Sequence, residues 1–127
     1  RDVLGSRGLG DVYKRQELEK GPKIYDFIIL DPPAFTKSRK TIESAMTGYK
    51  EINYRAMKLL PRGGYLATCS CSHFASTERF IAMLRSAAKD AGVQLRQIEQ
   101  RQQACDHPIL WGVDETDYLK FFLFQVV

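Results

Sequence analysis

The sequence has few of the residues that metal clusters, disulfide frameworks and membrane spans require. Its three cysteines do not form the paired C-x-x-C motifs of a structural zinc site, and an odd number implies no disulfide framework. It also lacks a charged leader followed by an apolar segment, and it has no apolar run long enough to cross a bilayer. We therefore expect no metal, no membrane and a reducing cytoplasmic setting, in which a thiol stays free.

The length and composition fit one folded unit. Of the 127 residues, 44% are hydrophobic and 11% are aromatic, which is typical of a globular protein rather than a disordered tail. The 19 Lys and Arg residues outnumber the 15 Asp and Glu residues, and the net charge is +4. This charge suits a polyanionic partner such as a nucleic acid, although an ordinary solvated surface is the alternative.

The first 16 residues differ in character from the remainder. The segment RDVLGSRGLGDVYKRQ shows neither helical nor strand periodicity, which predicts a disordered leader or an artefact of sequence assembly. Its glycines, Gly5, Gly8 and Gly10, lack the G-x-G-x-x-G spacing and follow no apolar strand. They therefore do not predict a nucleotide-binding loop, and we assign the folded domain to residues 17–127.

Strands alternate with helices from residue 17 onwards. Residues 25–30 form an apolar run typical of a strand covered on both faces, and the following prolines end it. Apolar residues at three- and four-residue steps predict helices over 41–60 and from 76 to about 91, with a strand over 65–71 between them. Strands over 94–100 and 118–127 complete the pattern. This order predicts an α/β fold, with a parallel sheet, helices on its faces and one antiparallel strand near the C-terminus.

Two polar residues lie where such sheets bind ligands, beyond the carboxyl ends of the strands. Asp31 follows the first strand and Cys71 ends the second, so we expect both tips to face one pocket. Pro32 and Pro33 stiffen the turn and leave carbonyls free to accept hydrogen bonds from an amino group. Phe35 offers a ring for stacking an unpaired base, and the alternative is a phenylalanine of the core.

The segment TCSCSH, residues 68–73, contains the candidate nucleophile. Strand alternation places Cys69 and Cys71 on the same side of the sheet. A reactive thiolate needs partial exposure, which favours Cys71 at the strand tip and leaves Cys69 to packing. Packing is also the alternative for Cys71, because free cysteine is commonly a small buried hydrophobe.

Basic side chains follow the first strand and continue onto the first helix. They suit contacts with phosphates near a target base, although a solvated basic loop is the alternative for each of them. These candidates are Lys37, Arg39, Lys40, Lys50 and Arg55.

From about residue 17 to Val127, the chain resembles class I S-adenosylmethionine (SAM)-dependent ribosomal RNA methyltransferases that modify cytosine C5 in the large subunit. The similar segments are YDFIILDPPAF, GYKEIN, GGYLATCSCSHF, DHPILWG and YLKFFLF, in the same order and at similar spacing. Asp-Pro-Pro alone is shared with several amino-group methyltransferases, whereas its combination with Ser-Cys-Ser after the next strand is specific. The resemblance implies the C-terminal half of a Rossmann-like catalytic domain.

The resemblance also implies roles for individual residues. Cys71 would attack cytosine C6, so that C5 takes the methyl group from SAM, and a base would then remove the C5 proton. Asp31 would hydrogen-bond the pyrimidine at N3 and stabilise the charge that develops there. His73 and His107 are candidates for the base, and a helix-entry residue is the alternative for His73. The implied cofactor contacts are Asp31 and Pro32, and the implied substrate contacts are Pro33, Phe35, Lys37, Tyr49, Lys50, Asn53 and His107.

Parts of a complete enzyme of this class are missing from the sequence. We find neither the Gly-rich loop nor the acidic residue that hold the cofactor, nor the N-terminal RNA-binding module of the family. We therefore expect this chain alone to bind SAM weakly or not at all, while ribosomal RNA is the implied partner. Two alternatives stay open: an RNA amino-group or ring-nitrogen methyltransferase, which needs no thiol, and a non-catalytic RNA-binding remnant.

Overall fold

A five-stranded sheet is the framework of residues 2–3, 25–33 and 41–127, which the computed structural model describes. In chain order the elements are β1 (Asp2–Val3), β2 (Phe27–Leu30), α1 (Ile42–Leu59), β3 (Tyr65–Ser70), α2 (Thr77–Ala91), β4 (Leu95–Arg101) and β5 (Lys120–Val126). The strands lie in the order β1-β2-β3-β5-β4 in the sheet. A 3-10 turn, Asp114–Thr116, lies in the loop before β5.

The sheet is mixed, and β5 is its antiparallel member. β2 pairs in parallel with β1 and with β3, where Leu30 lies opposite Thr68. β5 runs antiparallel to β3 on one side and to β4 on the other, and Lys120 lies opposite Ser70. The predicted α/β class and the antiparallel strand near the C-terminus are therefore confirmed. The insertion of β5 between β3 and β4 was not predicted, because long-range pairing and not local pattern decides it.

Within the described residues, a hydrophobic core fills the space between the sheet and the helices α1 and α2. Alternate strand residues point into it: Ile28 pairs with Leu66, Leu66 pairs with Phe124, and all three are buried. Phe80 of α2 contacts Tyr49 of α1 edge-on, with ring centroids 6.0 Å apart, and stacks on Phe122 of β5 at 5.9 Å. Both described helices thus cover the same face of the sheet. On the other face, Ile29 and Tyr65 are partly exposed within the described residues.

The ends of α2 are determined by local sequence. The Ser76 hydroxyl accepts a hydrogen bond from the Arg79 backbone N–H at 3.2 Å, which caps the first turn. Gly92 ends the helix in the left-handed conformation, with φ of 72°, and its N–H bonds to the carbonyls of Ala88 and Lys89. Because the Ser76 cap fixes where α2 begins, the short loop between β3 and α2, which contains Cys71, is held at the end that enters the helix.

Most of the predicted irregular leader lies outside the described residues. Asp2 and Val3 are described, and they pair in parallel with Ile28 and Ile29 at the edge of the sheet. Among the helices that the structure describes, none is long and apolar enough to span a membrane.

Candidate active site

Asp31, Cys69 and Cys71 meet at one edge of the sheet. Because β2 and β3 are adjacent and parallel, the residues that follow their last members leave the sheet on the same side. Asp31 and Cys71 are exposed, and Cys69 is half-buried between them. The Cys69 thiol lies 3.2 Å from Asp31 Oδ1 and 3.5 Å from the Leu30 carbonyl oxygen, as donor to both. The structure thus brings together the two strand tips that the sequence singled out.

Cys69 has the properties of a structural thiol. Burial, the hydrogen bond to Asp31 and the negative charges of Asp31 and Cys71 raise the pKa of Cys69 from 9.0 to about 12. At neutral pH the group is therefore a neutral thiol that donates to the Asp31 carboxylate. This agrees with the packing role that the sequence predicted for it.

Cys71 lies just beyond β3 and is open to solvent. Partial burial and the negative charge of Asp31 raise the pKa of its thiol, whereas the positive charge of Lys120 lowers it. The net effect is a pKa above the ordinary value for cysteine. The thiol is nevertheless exposed and lies within the field of a cation, Lys120, and both of these features suit a nucleophilic cysteine. Of the two cysteines in the TCSCSH segment, Cys71 is the accessible one.

Lys120 was missed by the sequence analysis. The residue is only 4% exposed, and its ammonium group donates hydrogen bonds to the carbonyls of Ser72 and Tyr118, the latter at 2.8 Å. Burial lowers the pKa of Lys120 from 10.5 to about 8, against the opposing charges of Asp117 and Cys71. A signal was available: Lys120 is the only charge in the apolar run YLKFFLFQVV, at a position that alternation aligns with Phe122 and Phe124.

Tyr49 and Asn53 face the core and not the solvent. Their exposed fractions are 0% and 1%, so neither has a surface for the direct substrate contact that the sequence predicted. Asn53 donates to the Tyr49 carbonyl at 2.8 Å and accepts from the Thr68 hydroxyl at 2.7 Å. The Ser70 hydroxyl lies 3.0 Å from the Tyr49 hydroxyl and accepts from the Ser72 N–H at 3.3 Å. These side chains point inward because they satisfy one another's hydrogen-bonding groups, and the resulting bonds hold the end of β3.

The remaining predicted side chains are spread over the surface. Lys50 forms an ion pair of 2.7 Å with Asp90 of α2. His107 is exposed in the loop before β5, with Nε2 3.8 Å from the Asp106 carboxylate. Arg55 pairs with Glu51 on the same helix at 2.8 Å.

Close to the strand tips, the other predicted residues are described only in part. Pro32 is buried and Pro33 is exposed beside Asp31. His73 is exposed, and its ring lies 4.0 Å from that of Phe74, between centroids. The predictions for Phe35, Lys37, Arg39 and Lys40 lie outside the described residues. Within the described ranges, no group of His, Cys, Asp and Glu residues is placed to hold a metal ion.

Solved structures share this arrangement of strands and helices. SMU.776, described as a candidate methyltransferase and crystallised with SAH, matches with a TM-score of 0.71 over 93% of this chain and 30% of its own, at 18% identity. A candidate SAM-dependent methyltransferase from Streptococcus mutans matches with a TM-score of 0.70 over 92% of this chain and 29% of its own, at 19% identity. The chain has the fold of SAM-dependent methyltransferases.

Sequence relatives narrow the comparison further. Ribosomal RNA large subunit methyltransferase I from Erwinia tasmaniensis is 43% identical over 119 residues, which are 92% of this chain and 30% of that protein. The protein of the same name from Cronobacter sakazakii is 40% identical over the same length. No family model matches the chain. The chain spans about a third of the length of the relatives it matches. The predicted resemblance to large-subunit ribosomal RNA methyltransferases is confirmed, because the relatives carry that name.

Proposed function

We propose that this chain forms the substrate side of the active site of a SAM-dependent methyltransferase that modifies cytosine C5 in large-subunit ribosomal RNA. The observation that carries the proposal is the meeting of exposed Cys71 with Asp31 at one edge of a methyltransferase-fold sheet. The name of the relatives supports ribosomal RNA as the substrate. The thiol supports C5 as the position, because an amino-group methyltransferase has no use for one.

The chemistry requires a thiolate and a positioned carboxyl group. The Cys71 sulfur adds to cytosine C6, and the electron pair moves to C5 while a proton shared with the Asp31 carboxyl group stabilises the ring at N3. SAM, when bound, would supply the methyl group to C5 and leave as S-adenosylhomocysteine. A base then removes the C5 proton, the electrons of that C–H bond re-form the C5=C6 double bond, and the C6–S bond breaks. The proton at N3 returns to the Asp31 carboxyl group, and the Cys71 thiolate is restored. His73 and His107 remain the proposed candidates for that base.

The described residues fit only part of a cofactor site. Asp31 is exposed at the strand tip, where ligands of such sheets bind, and Pro32 is buried behind it. Their proposed role is to form the wall of the crevice next to the transferred methyl group. The glycine-rich loop that would hold the rest of the cofactor has no counterpart in the sequence.

Tyr49 and Asn53 retain a role in this proposal, although an indirect one. Both hold polar residues of β3, Asn53 through Thr68 and Tyr49 through Ser70. Ser70 in turn accepts from the backbone of Ser72, on the far side of Cys71. These contacts position the nucleophile and leave the substrate to the exposed residues.

Covalent trapping tests the proposal. A chimera carries this chain in place of the segment it matches in the Erwinia tasmaniensis relative, and it is incubated with SAM and ribosomal RNA transcribed with 5-fluorocytosine. In 5-fluorocytosine, fluorine replaces the C5 proton, and a base cannot remove it. The enzyme therefore stays bonded to C6 and migrates with the RNA on a denaturing gel. We expect Cys71→Ala to abolish the adduct and the matched Cys69→Ala to retain it.

Two results would contradict this assignment. An adduct that persists in the Cys71→Ala chimera would move the nucleophile elsewhere. A chimera that methylates unmodified ribosomal RNA and forms no adduct with the fluorinated RNA would favour methylation of an amino group or ring nitrogen, for which Asp31 and its prolines suffice.

A further inference from the structure

A buried positive charge lies directly behind the candidate nucleophile. Antiparallel pairing sets Lys120 of β5 opposite Ser70 of β3, on the face that points into the core. Its ammonium group reaches past Ser70 to the Ser72 carbonyl, the first carbonyl after Cys71, and also bonds to that of Tyr118. Burying an ammonium group is unfavourable unless it is well paired, so lysine is rarely found in such a place.

We infer that Lys120 is the positioning residue of Cys71: its hydrogen bond to the Ser72 carbonyl holds the turn that presents the thiol and keeps an ammonium group beside that turn. No role in the reaction was assigned to this lysine by the sequence motifs. The catalytic role of Lys120 rests on the proposed function, in which Cys71 is the nucleophile. The acidity of the thiol, however, can be measured without RNA or cofactor, so the two ideas can fail separately.

The charges around the thiol oppose one another. Asp31 at the tip of β2 and the burial of the thiol both disfavour the thiolate, whereas Lys120 favours it. Among the described residues, Lys120 is the one cation with a resolved effect on Cys71. Asp117, in the loop before β5, and Cys71 itself both stabilise the charged form of Lys120. Neutralising Lys120 therefore leaves the thiol with only the groups that suppress its ionisation.

Site-resolved alkylation measures this effect. The protein is treated with iodoacetamide over a range of pH, and carbamidomethylation of each cysteine is followed by peptide mass spectrometry. In Lys120→Met we expect the pKa of Cys71 to rise, because the cation that favours the thiolate is removed, and the thiolate fraction at neutral pH falls with it. A more basic thiolate is also more nucleophilic, which offsets part of that loss, so the net rate at Cys71 should fall about threefold. Lys120→Arg keeps the charge and should react near the wild-type rate.

The other cysteines serve as internal controls. Cys105 is exposed and should react equally in all variants, while Cys69 should stay protected as long as the fold is intact. A purely structural role for Lys120 predicts the opposite sign, because loosening of the site would speed the reaction at both Cys69 and Cys71. If Lys120→Met exposes Cys69, the alkylation of Cys71 is measured in Lys120→Gln instead. The glutamine amide can still donate to the carbonyls but carries no charge, so the rate at Cys71 should again fall. An unchanged or faster rate at Cys71 with Cys69 protected would overturn the inference.

Discussion

The Cys69 thiol donates a hydrogen bond to Asp31 Oδ1 at 3.2 Å, so the two strand tips are joined by the cysteine that is not the candidate nucleophile. The bond orients the carboxylate and holds Cys69 in its protonated form. The Asp31 carboxylate therefore affects the two cysteines differently: Cys69 is hydrogen-bonded to it, whereas Cys71 interacts with it only through its charge. Asp31 consequently acts on the thiols before any substrate is bound.

The charge of Asp31 predicts an unusual pair of effects. In Asp31→Asn, the pKa of Cys71 should fall, because the carboxylate raises it. Alkylation of Cys71 at neutral pH should then become about twofold to threefold faster. Under the proposed function, methyl transfer by the chimera should nevertheless drop at least about a hundredfold, because the contact at N3 is lost. Glu78→Gln, which removes an exposed carboxylate in the first turn of α2, is the control. Slower alkylation of Cys71 in Asp31→Asn would contradict this reading of the charges.

The buried ammonium group predicts a pH dependence of stability. The pKa of Lys120 is about 8 in the folded protein, whereas an unburied lysine, as in the unfolded chain, has a pKa of 10.5. Between these two pH values the unfolded chain therefore binds more protons than the folded protein. The free energy of unfolding of the wild type should therefore rise with pH across that interval, relative to Lys120→Met. Urea unfolding of both proteins at a series of pH values measures the difference. A difference that stays constant from about pH 8 to 10.5 would show that the lysine is not held in an unfavourable charged state.

The features that local pattern determines could be predicted from the sequence. Ser76 and Gly92 bound α2 as expected, because a cap and a left-handed residue act within one turn of the helix. Asp31 and Cys71 could be placed at the same edge, because consecutive parallel strands joined by one helix present their carboxyl ends together.

Features that depend on pairing between distant segments could not be predicted. The insertion of β5 decides that Lys120 meets the residue after Cys71, and no local signal in either segment specifies that register. Helical periodicity likewise leaves open whether a tyrosine or an asparagine at the margin of the apolar face turns inward. Tyr49 and Asn53 do so because Ser70 and Thr68 offer partners across the core.

The buried contact between Thr68 and Asn53 predicts a loss of stability. Thr68→Val keeps the shape of the side chain and removes the 2.7 Å hydrogen bond, which leaves the Asn53 carbonyl oxygen buried without its donor. We expect a loss of about 1–3 kcal/mol in the free energy of unfolding, measured in urea. Thr47→Val, whose hydroxyl bonds to a backbone carbonyl on an exposed helix surface, should change it by less than about 0.5 kcal/mol. Equal losses in the two variants would argue against a buried polar network behind β3.

The left-handed residue at the end of α2 predicts a purely conformational cost. An added Cβ at Gly92 meets nothing within 4 Å, so Gly92→Ala introduces no clash, but φ of 72° disfavours every residue with a Cβ. The free energy of unfolding should fall by about 1 kcal/mol, and Gly92→Asn should lose less, because asparagine tolerates this conformation better. Thermal melts of the three proteins give the order Gly, Asn, Ala. Gly92 lies far along the chain from the candidate site, so the alkylation rate of Cys71 should be the same in all three proteins. A slower rate in Gly92→Ala would mean that the end of α2 also positions the thiol.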